Sequence, residues 1–187
     1  MSRALFFEEK FLYQNSPVDE NTNYKVIRPV VWDCQELYIQ DILGTPLYKL
    51  IKDEIETNGG TLTTARLLTL VNDYVAPCLL NYVLMDSQMT MLFKMRNKSV
   101  STDRSDYSNP VEYKTYLHLK DEYQLKAEQY AEKIQRYLCA NSSTYPEYTN
   151  YSTSDEVRAQ NQRPDIGIYL GGLNIPKDYG YEYYEKG

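Results

Sequence analysis

The sequence has few of the residues that build catalytic and metal sites. It contains one histidine, His118, and three cysteines, Cys34, Cys78 and Cys139, in 187 residues. A single histidine excludes an HExxH zinc site, and the lack of any CxxC pair argues against a zinc ribbon or a disulfide framework. We expect reduced thiols that pack as small apolar groups in a cytoplasmic setting. His118 falls within a helical pattern, which predicts a surface or core position for it.

Motifs for phosphate binding and nucleophilic catalysis are also missing. The sequence contains no GxxxxGKS/T loop, no GxGxxG turn and no GxSxG elbow. Adjacent acids such as Asp53 and Glu54 point in different directions on a helix, so they indicate a solvated face rather than a Mg²⁺ site. We therefore expect no enzymatic activity, no metal and no cofactor. A metal-dependent hydrolase that uses scattered acids is kept as a third hypothesis.

Basic residues and long apolar runs are scarce. The formal net charge of -6 disfavours wrapping of nucleic acid, because that requires Lys and Arg to neutralise phosphates. A weakly acidic wall would instead let DNA pass without binding to it. The sequence lacks a run of about 18 apolar residues, and its start mixes Phe with Glu8, Glu9 and Lys10. These features predict no membrane segment and no signal peptide.

Apolar residues at three- and four-residue steps predict helices in the first half of the chain. The first helix spans residues 23–43, and Pro29 must lie in its first turn or kink it, because proline lacks the amide donor. Gly44 is expected to end this helix in a left-handed conformation. Thr45 and Pro46 then supply the cap and first position of a second helix, which stops at the Asn-Gly-Gly of residues 58–60.

The same periodicity predicts two longer helices in the second half. One runs from about Thr64 to Arg96 and bends at Pro77, whose ring would clash with the carbonyl of Asp73. A polar loop is expected over residues 98–109. The last helix begins at the cap residue Asn109 and ends near residue 140.

Tyrosine is unusually abundant, with 20 residues against four Phe and one Trp. Its apolar ring and polar tip suit contacts between subunits. We predict a mainly α fold: a helical bundle of residues 23–140 with a short N-terminal arm, 1–22, and an extended, irregular, Tyr-rich C-terminal arm, 141–187. The arms supply the predicted protein-interface residues, which are Phe6, Phe7, Phe11, Tyr13, Tyr145, Tyr148, Tyr151, Ile166, Ile168, Tyr169, Leu170, Leu173, Ile175, Tyr179 and Tyr181.

One stretch resembles a known family. Residues 24–48, YKVIRPVVWDCQELYIQDILGTPLY, are similar to the opening helices of head-to-tail connector proteins of tailed bacteriophages, and most similar to connector-ring proteins of crAss-like phages. The shared pattern is an apolar pair before a proline, a Gln-acid step, a Leu-Gly step and a Leu-Tyr pair. In this sequence these are Val26-Ile27, Pro29, Gln35-Glu36, Leu43-Gly44 and Leu47-Tyr48.

The resemblance implies a virion structural protein at the head–tail interface, present in the host cytoplasm during assembly. It implies a homo-oligomeric ring of twelve subunits that binds the portal protein and neighbouring tail or connector proteins. DNA would pass through the ring without sequence-specific binding. The alternative is a monomeric cytoplasmic helical protein-interaction module, which is favoured if the tail packs on its own core. Whether the C-terminal arm contacts its own chain or a neighbour is left open.

Overall fold

The computed structural model describes residues 4–96, 99–102, 113–149 and 157–159. This part of the chain is mainly helical, which confirms the predicted fold class. The elements are α1 (Glu9–Asn15), α2 (Tyr24–Cys34), a π turn (Gln35–Ile39), α3 (Gln40–Leu43), α4 (Thr45–Thr57), α5 (Ala65–Leu70), a second π turn (Val71–Val75), α6 (Ala76–Leu92), β1 (Phe93–Arg96), β2 (Ser99–Thr102), α7 (Tyr113–Ala140) and a 3-10 turn (Pro146–Tyr148).

The predicted first helix is divided by the π turn. The side chain of Asn23 caps α2 by accepting a hydrogen bond of 3.0 Å from the backbone N–H of Lys25. Pro29 lies inside α2, beyond its first turn. The helix then widens by one residue at the π turn, where the Gln40 N–H bonds to the carbonyl of Gln35, five residues earlier. Gln35 is the first residue of the π turn, and its side chain is buried in the core.

Gly44 separates α3 from α4 in the manner the sequence predicts. Its φ of 77° lies in the region that favours glycine. Gly44 is itself the N-cap of α4, so the prediction that Thr45 is the cap is wrong. Thr45 is the first helical residue, Pro46 follows it in the first turn, and the Thr45 side chain is used for a tertiary contact.

The second π turn lies directly before Pro77, where the sequence predicts a bend. Pro77 cannot donate to the carbonyl of Asp73, and an ideal α-helix would press its ring against that carbonyl. The backbone widens over Val71–Val75 instead, and the Ala76 N–H bonds to the Val71 carbonyl. The helix therefore continues through the proline as α5, the π turn and α6.

The third helix ends earlier than the sequence predicts. α6 stops at Leu92, and β1 pairs antiparallel with β2, so that Phe93 lies opposite Thr102 and Arg96 opposite Ser99. Residues 99–102 of the predicted polar loop are thus in a strand. Helical spacing of apolar residues does not reveal this hairpin, because the spacing carries no information about whether residues 93–96 pair with residues 99–102. The predicted cap Asn109 lies outside the described residues.

α6 is the central helix, packed against α7 on one side and α2 on another. The core also takes residues from both predicted arms. The predicted N-terminal arm contains α1, and its Phe6, Phe7 and Leu12 are buried. Beyond α7, Tyr145 and Tyr148 are fully buried in the same core. The packed region therefore extends past both boundaries, 22 and 140, that the sequence predicts for the bundle.

Candidate assembly site

An N-terminal segment, residues 4–7, is held on the bundle by the side chain of Gln35. The Phe6 N–H donates to Gln35 Oε1 at 3.0 Å, and Gln35 Nε2 donates to the Ala4 carbonyl at 3.1 Å. Gln35 is fully buried. One amide group thus satisfies a donor and an acceptor of the backbone, as a neighbouring strand would. The contact is made with backbone atoms of the segment, and the Phe6 ring adds to it by packing with its centre 5.2 Å from that of the Tyr48 ring.

A second layer of polar contacts supports Gln35. Gln35 Nε2 also donates to the Tyr48 hydroxyl at 3.1 Å, and that hydroxyl donates to Glu36 Oε1 at 2.8 Å. Lys52 Nζ binds the same carboxylate oxygen at 3.0 Å and lies 4.5 Å from the centre of the Trp32 ring. Burial raises the pKa of the Tyr48 hydroxyl. The chain of partners fixes the direction of the buried amide.

The N-terminal segment lies between two cavities. One, of about 730 Å³, is lined by residues of α2, of the C-terminal end of α4 and of the Gly59–Gly60 turn. The other, of about 470 Å³, extends towards α5 and the second π turn. Leu5 and Phe7 line both. The hydroxyl of Tyr24, which borders the larger cavity, has no hydrogen-bond partner in the described part of the chain.

The residues after α7 are held by α5. Arg66 makes a two-pronged contact with Glu147, at 2.9 Å and 2.7 Å, and also donates to the Thr144 carbonyl at 2.8 Å. The Tyr145 hydroxyl donates to the Arg66 carbonyl at 2.7 Å. The Arg66 guanidinium lowers the pKa of the Glu147 carboxyl, and burial raises the pKa of Tyr145.

Further along the chain, Thr45 holds residues 157–159 at the start of α4. The Thr45 N–H donates to the Val157 carbonyl at 2.8 Å, and the Val157 N–H donates to Thr45 Oγ1 at 2.9 Å. Gln40 Nε2 donates to the same oxygen at 3.1 Å. Ala159 is fully buried. Three separate polar clamps, centred on Gln35, Arg66 and Thr45, therefore bind residues 4–7, residues 144–147 and residues 157–159 to the bundle.

The structure brings six of the predicted interface residues into the core of their own chain. Phe6, Phe7, Tyr145 and Tyr148 are buried, whereas Phe11 and Tyr13 pack partly buried against the core. Tyr13 also donates to the Thr22 carbonyl at 2.6 Å. The others lie outside the described residues: Tyr151, Ile166, Ile168, Tyr169, Leu170, Leu173, Ile175, Tyr179 and Tyr181. An interface role for the whole set stays a prediction.

The residues that carry other chemistry are dispersed. Cys34 and Cys78 are buried, and burial raises the pKa of Cys78 to about 12, whereas Cys139 is exposed. His118 is exposed on α7. Over the described ranges, no group of three or more His, Cys, Asp or Glu side chains is arranged to hold a metal ion. The polar side chains described above act instead by hydrogen-bonding to backbone atoms of other segments.

One helical stretch is apolar enough to pass a test for membrane spans. Residues Ala65–Gln88 have a mean hydropathy of 1.4 over an 18-residue window, against the expectation from the sequence. Of that window, 61% is buried inside the chain itself. A central core helix passes the same test as a membrane helix, so length and composition are weak evidence for a span.

Sequence reasoning missed the clamp residues. The sequence singles out Gln35 only through the Gln-acid step of the resemblance, it predicts Thr45 as a cap, and no pattern singles out Arg66. A polar residue at a buried position of a helical pattern is the available signal, and Gln35 shows it. Nothing local in the sequence names the distant backbone to which each side chain binds.

Among known proteins, a family model matches this chain, whereas no curated protein and no solved structure does. A family model matches residues 39–158, from the first π turn through Val157 at the Thr45 clamp. That range covers more than half of the chain and includes α4 to α7. The chain therefore belongs to the Family of unknown function (DUF6712).

Proposed function

We propose that this chain is a virion structural protein that forms an adaptor ring between the portal and the tail of a tailed bacteriophage, around the DNA channel. The observation that carries the proposal is the set of three clamps. In each, a side chain of the bundle hydrogen-bonds to backbone atoms of another segment: Gln35 to Ala4 and Phe6, Arg66 to Thr144, and Thr45 to Val157. Main-chain hydrogen bonds also bind peptides to other proteins, and contacts of this kind would equally hold the arm of a neighbouring subunit. The proposal assigns the chain no catalytic role.

The resemblance of residues 24–48 supports the same function. These residues form α2, the first π turn, α3 and the start of α4, and Gln35 and Tyr48 of the resembling pattern belong to the first clamp. The pattern therefore coincides with residues that bind the N-terminal segment. The net charge of -6 suits a channel through which DNA passes without sticking.

One observation favours the second candidate, a monomeric cytoplasmic interaction module. Tyr145 and Tyr148 are fully buried in their own chain, and Val157 is held by Thr45. The first part of the predicted C-terminal arm thus packs on its own core. The two candidates differ in what residues 160–187 contact, because that stretch contains most of the predicted interface.

Electron microscopy of this protein mixed with the portal ring encoded in its source genome tests the proposal. We expect a second symmetric ring of twelve copies, coaxial with the portal. Portal rings left bare at protein concentrations well above micromolar, with the chain remaining a soluble monomer, would replace the adaptor by the interaction module. A truncated chain that lacks residues 160–187 is tested in parallel. We expect the truncation to weaken ring formation and to leave the bundle folded.

A further inference from the structure

α2 carries a small basic and aromatic groove. It is lined by Leu5, Lys25, Arg28, Pro29 and Trp32 and has a volume of about 290 Å³. The four α2 residues follow steps of three and four, so they lie on one side of the helix. We call these five residues the basic–aromatic groove.

The positive charge of this groove is accessible. Lys25 and Arg28 are exposed, and neither forms an ion pair with a carboxylate among the described residues. Lys52 adds a third positive charge beside Trp32, at 4.5 Å from the ring centre, although Glu36 partly neutralises it. In a chain with a net charge of -6, such a local excess of positive charge selects an acidic occupant.

The same chain contains a segment of matching chemistry. Residues 178–185, DYGYEYYE, carry three acids, Asp178, Glu182 and Glu185, four tyrosines and no basic residue. Carboxylates pair with Lys and Arg, and tyrosine rings pack on proline, Trp and guanidinium groups. The segment lies beyond the last described residue, Ala159, in the predicted C-terminal arm.

The length of the tail lets it reach a neighbouring subunit. Thr45 holds Val157 at the start of α4. Lys52, which lies beside Trp32 of the groove, is seven residues further along the same helix, or about 10 Å from Thr45. The chain from Ala159 to Asp178 spans about 60 Å when extended. A folded chain of this size is about 40 Å wide. The spacer is therefore much longer than a contact within one subunit requires.

We propose that the basic–aromatic groove of one subunit binds residues 178–185 of a second copy of this chain. This inference rests on the proposed function, since it names the contact between neighbours in the ring. Lys25 and Arg28 pair with the carboxylates, and Trp32 and Pro29 pack against tyrosine rings. The contact is exposed, so added salt weakens it.

Peptide binding tests the contact without requiring a ring. The full-length chain carrying Asp178→Asn, Glu182→Gln and Glu185→Gln is titrated with a peptide of residues 176–187, and Trp32, the only tryptophan, reports binding through its fluorescence. We expect a saturable change. Lys25→Glu with Arg28→Glu should weaken binding by about tenfold or more, since attraction becomes repulsion at two positions. The matched control, Lys10→Glu with Lys49→Glu, reverses two exposed lysines elsewhere and should bind as before.

Equal binding to the groove variant and to its control would overturn the inference, as would a groove that binds a short DNA duplex and not the peptide. Should the groove variant lose its helical circular dichroism, Lys25→Gln with Arg28→Gln replaces it, with weaker peptide binding expected again. Unchanged binding by that second variant would overturn the inference equally.

Cross-linking decides whether the contact joins two chains. Chains with Cys139→Ser and Pro29→Cys are mixed with chains carrying Cys139→Ser and Tyr181→Cys and treated with a short bis-maleimide. A covalent product of two chains is expected. A cross-link that forms only when Pro29→Cys and Tyr181→Cys are in one chain would overturn it, because the tail would then bind its own groove.

The two proposals fail separately. Rings that form on the portal although the unmutated groove binds no peptide would end the inference and leave the adaptor. Peptide binding and a two-chain cross-link without any ring on the portal would end the adaptor and support the contact between copies.

Discussion

Replacing Gln35 by Met should release the N-terminal segment from the bundle. Methionine is close to glutamine in size, so the substitution removes the hydrogen bonds without creating a large cavity. The Phe6 N–H and the Ala4 carbonyl, bound at 3.0 Å and 3.1 Å in the native chain, lose their partner. Each buried backbone group left unpaired costs about 1–3 kcal/mol. Two such groups give an expected loss of about 2–6 kcal/mol in the free energy of unfolding.

Two measurements check this expectation. Urea denaturation gives the loss of stability, and hydrogen exchange followed by mass spectrometry should show faster exchange in residues 4–12 than in α6. The matched control is Gln124→Met, because Gln124 is exposed on α7 and bonds only to Glu128 in the described structure. We expect its stability to change by less than about 0.5 kcal/mol. A Gln35→Met chain as stable as this control, with unchanged exchange at Phe6, would refute the clamp.

Other contacts make separate predictions. Glu147→Gln should destabilise the chain by about 1 kcal/mol, because it breaks a two-pronged pair that is largely shielded from solvent. Arg66 lowers the pKa of Glu147 below its ordinary 4.5, so the stabilisation from this pair is complete above about pH 5 and is lost as the pH falls through the lowered pKa. The stability difference between wild type and variant, measured by urea denaturation at several pH values, should therefore shrink towards zero at acid pH. A difference that stays constant with pH would contradict the pairing. Thr45→Val should cost about 1 kcal/mol, since the Val157 N–H loses its acceptor at 2.9 Å, and limited proteolysis should cleave after residue 150 faster; unchanged cleavage would count against the clamp. Iodoacetamide should alkylate Cys139 in the native protein and leave Cys34 and Cys78 unmodified until urea is added, as mass spectrometry of peptides would show; native labelling of Cys78 would contradict its burial.

The helical part of the fold was predictable because its signals are local. Apolar steps of three and four residues placed α2, α4 and α6, and Gly44 adopts the positive φ that its place between two helices predicts. The boundary errors have local causes too. Gly44 rather than Thr45 caps α4, and Met95 continues a helical spacing although it lies in β1, because periodicity does not encode the strand that pairs with it.

The sequence alone determined the mainly α class, the approximate positions of α2, α4 and α6, the acidic balance and the scarcity of residues for metal or nucleophilic chemistry. Only the tertiary structure decided where Phe6, Phe7, Tyr145 and Tyr148 lie, because an aromatic residue in a non-helical segment is equally suited to its own core and to a neighbour. The clamps were likewise beyond the sequence. Gln35 meets Ala4 and Phe6 from about thirty residues away, and such pairings arise only when packing brings distant backbone to a buried polar group.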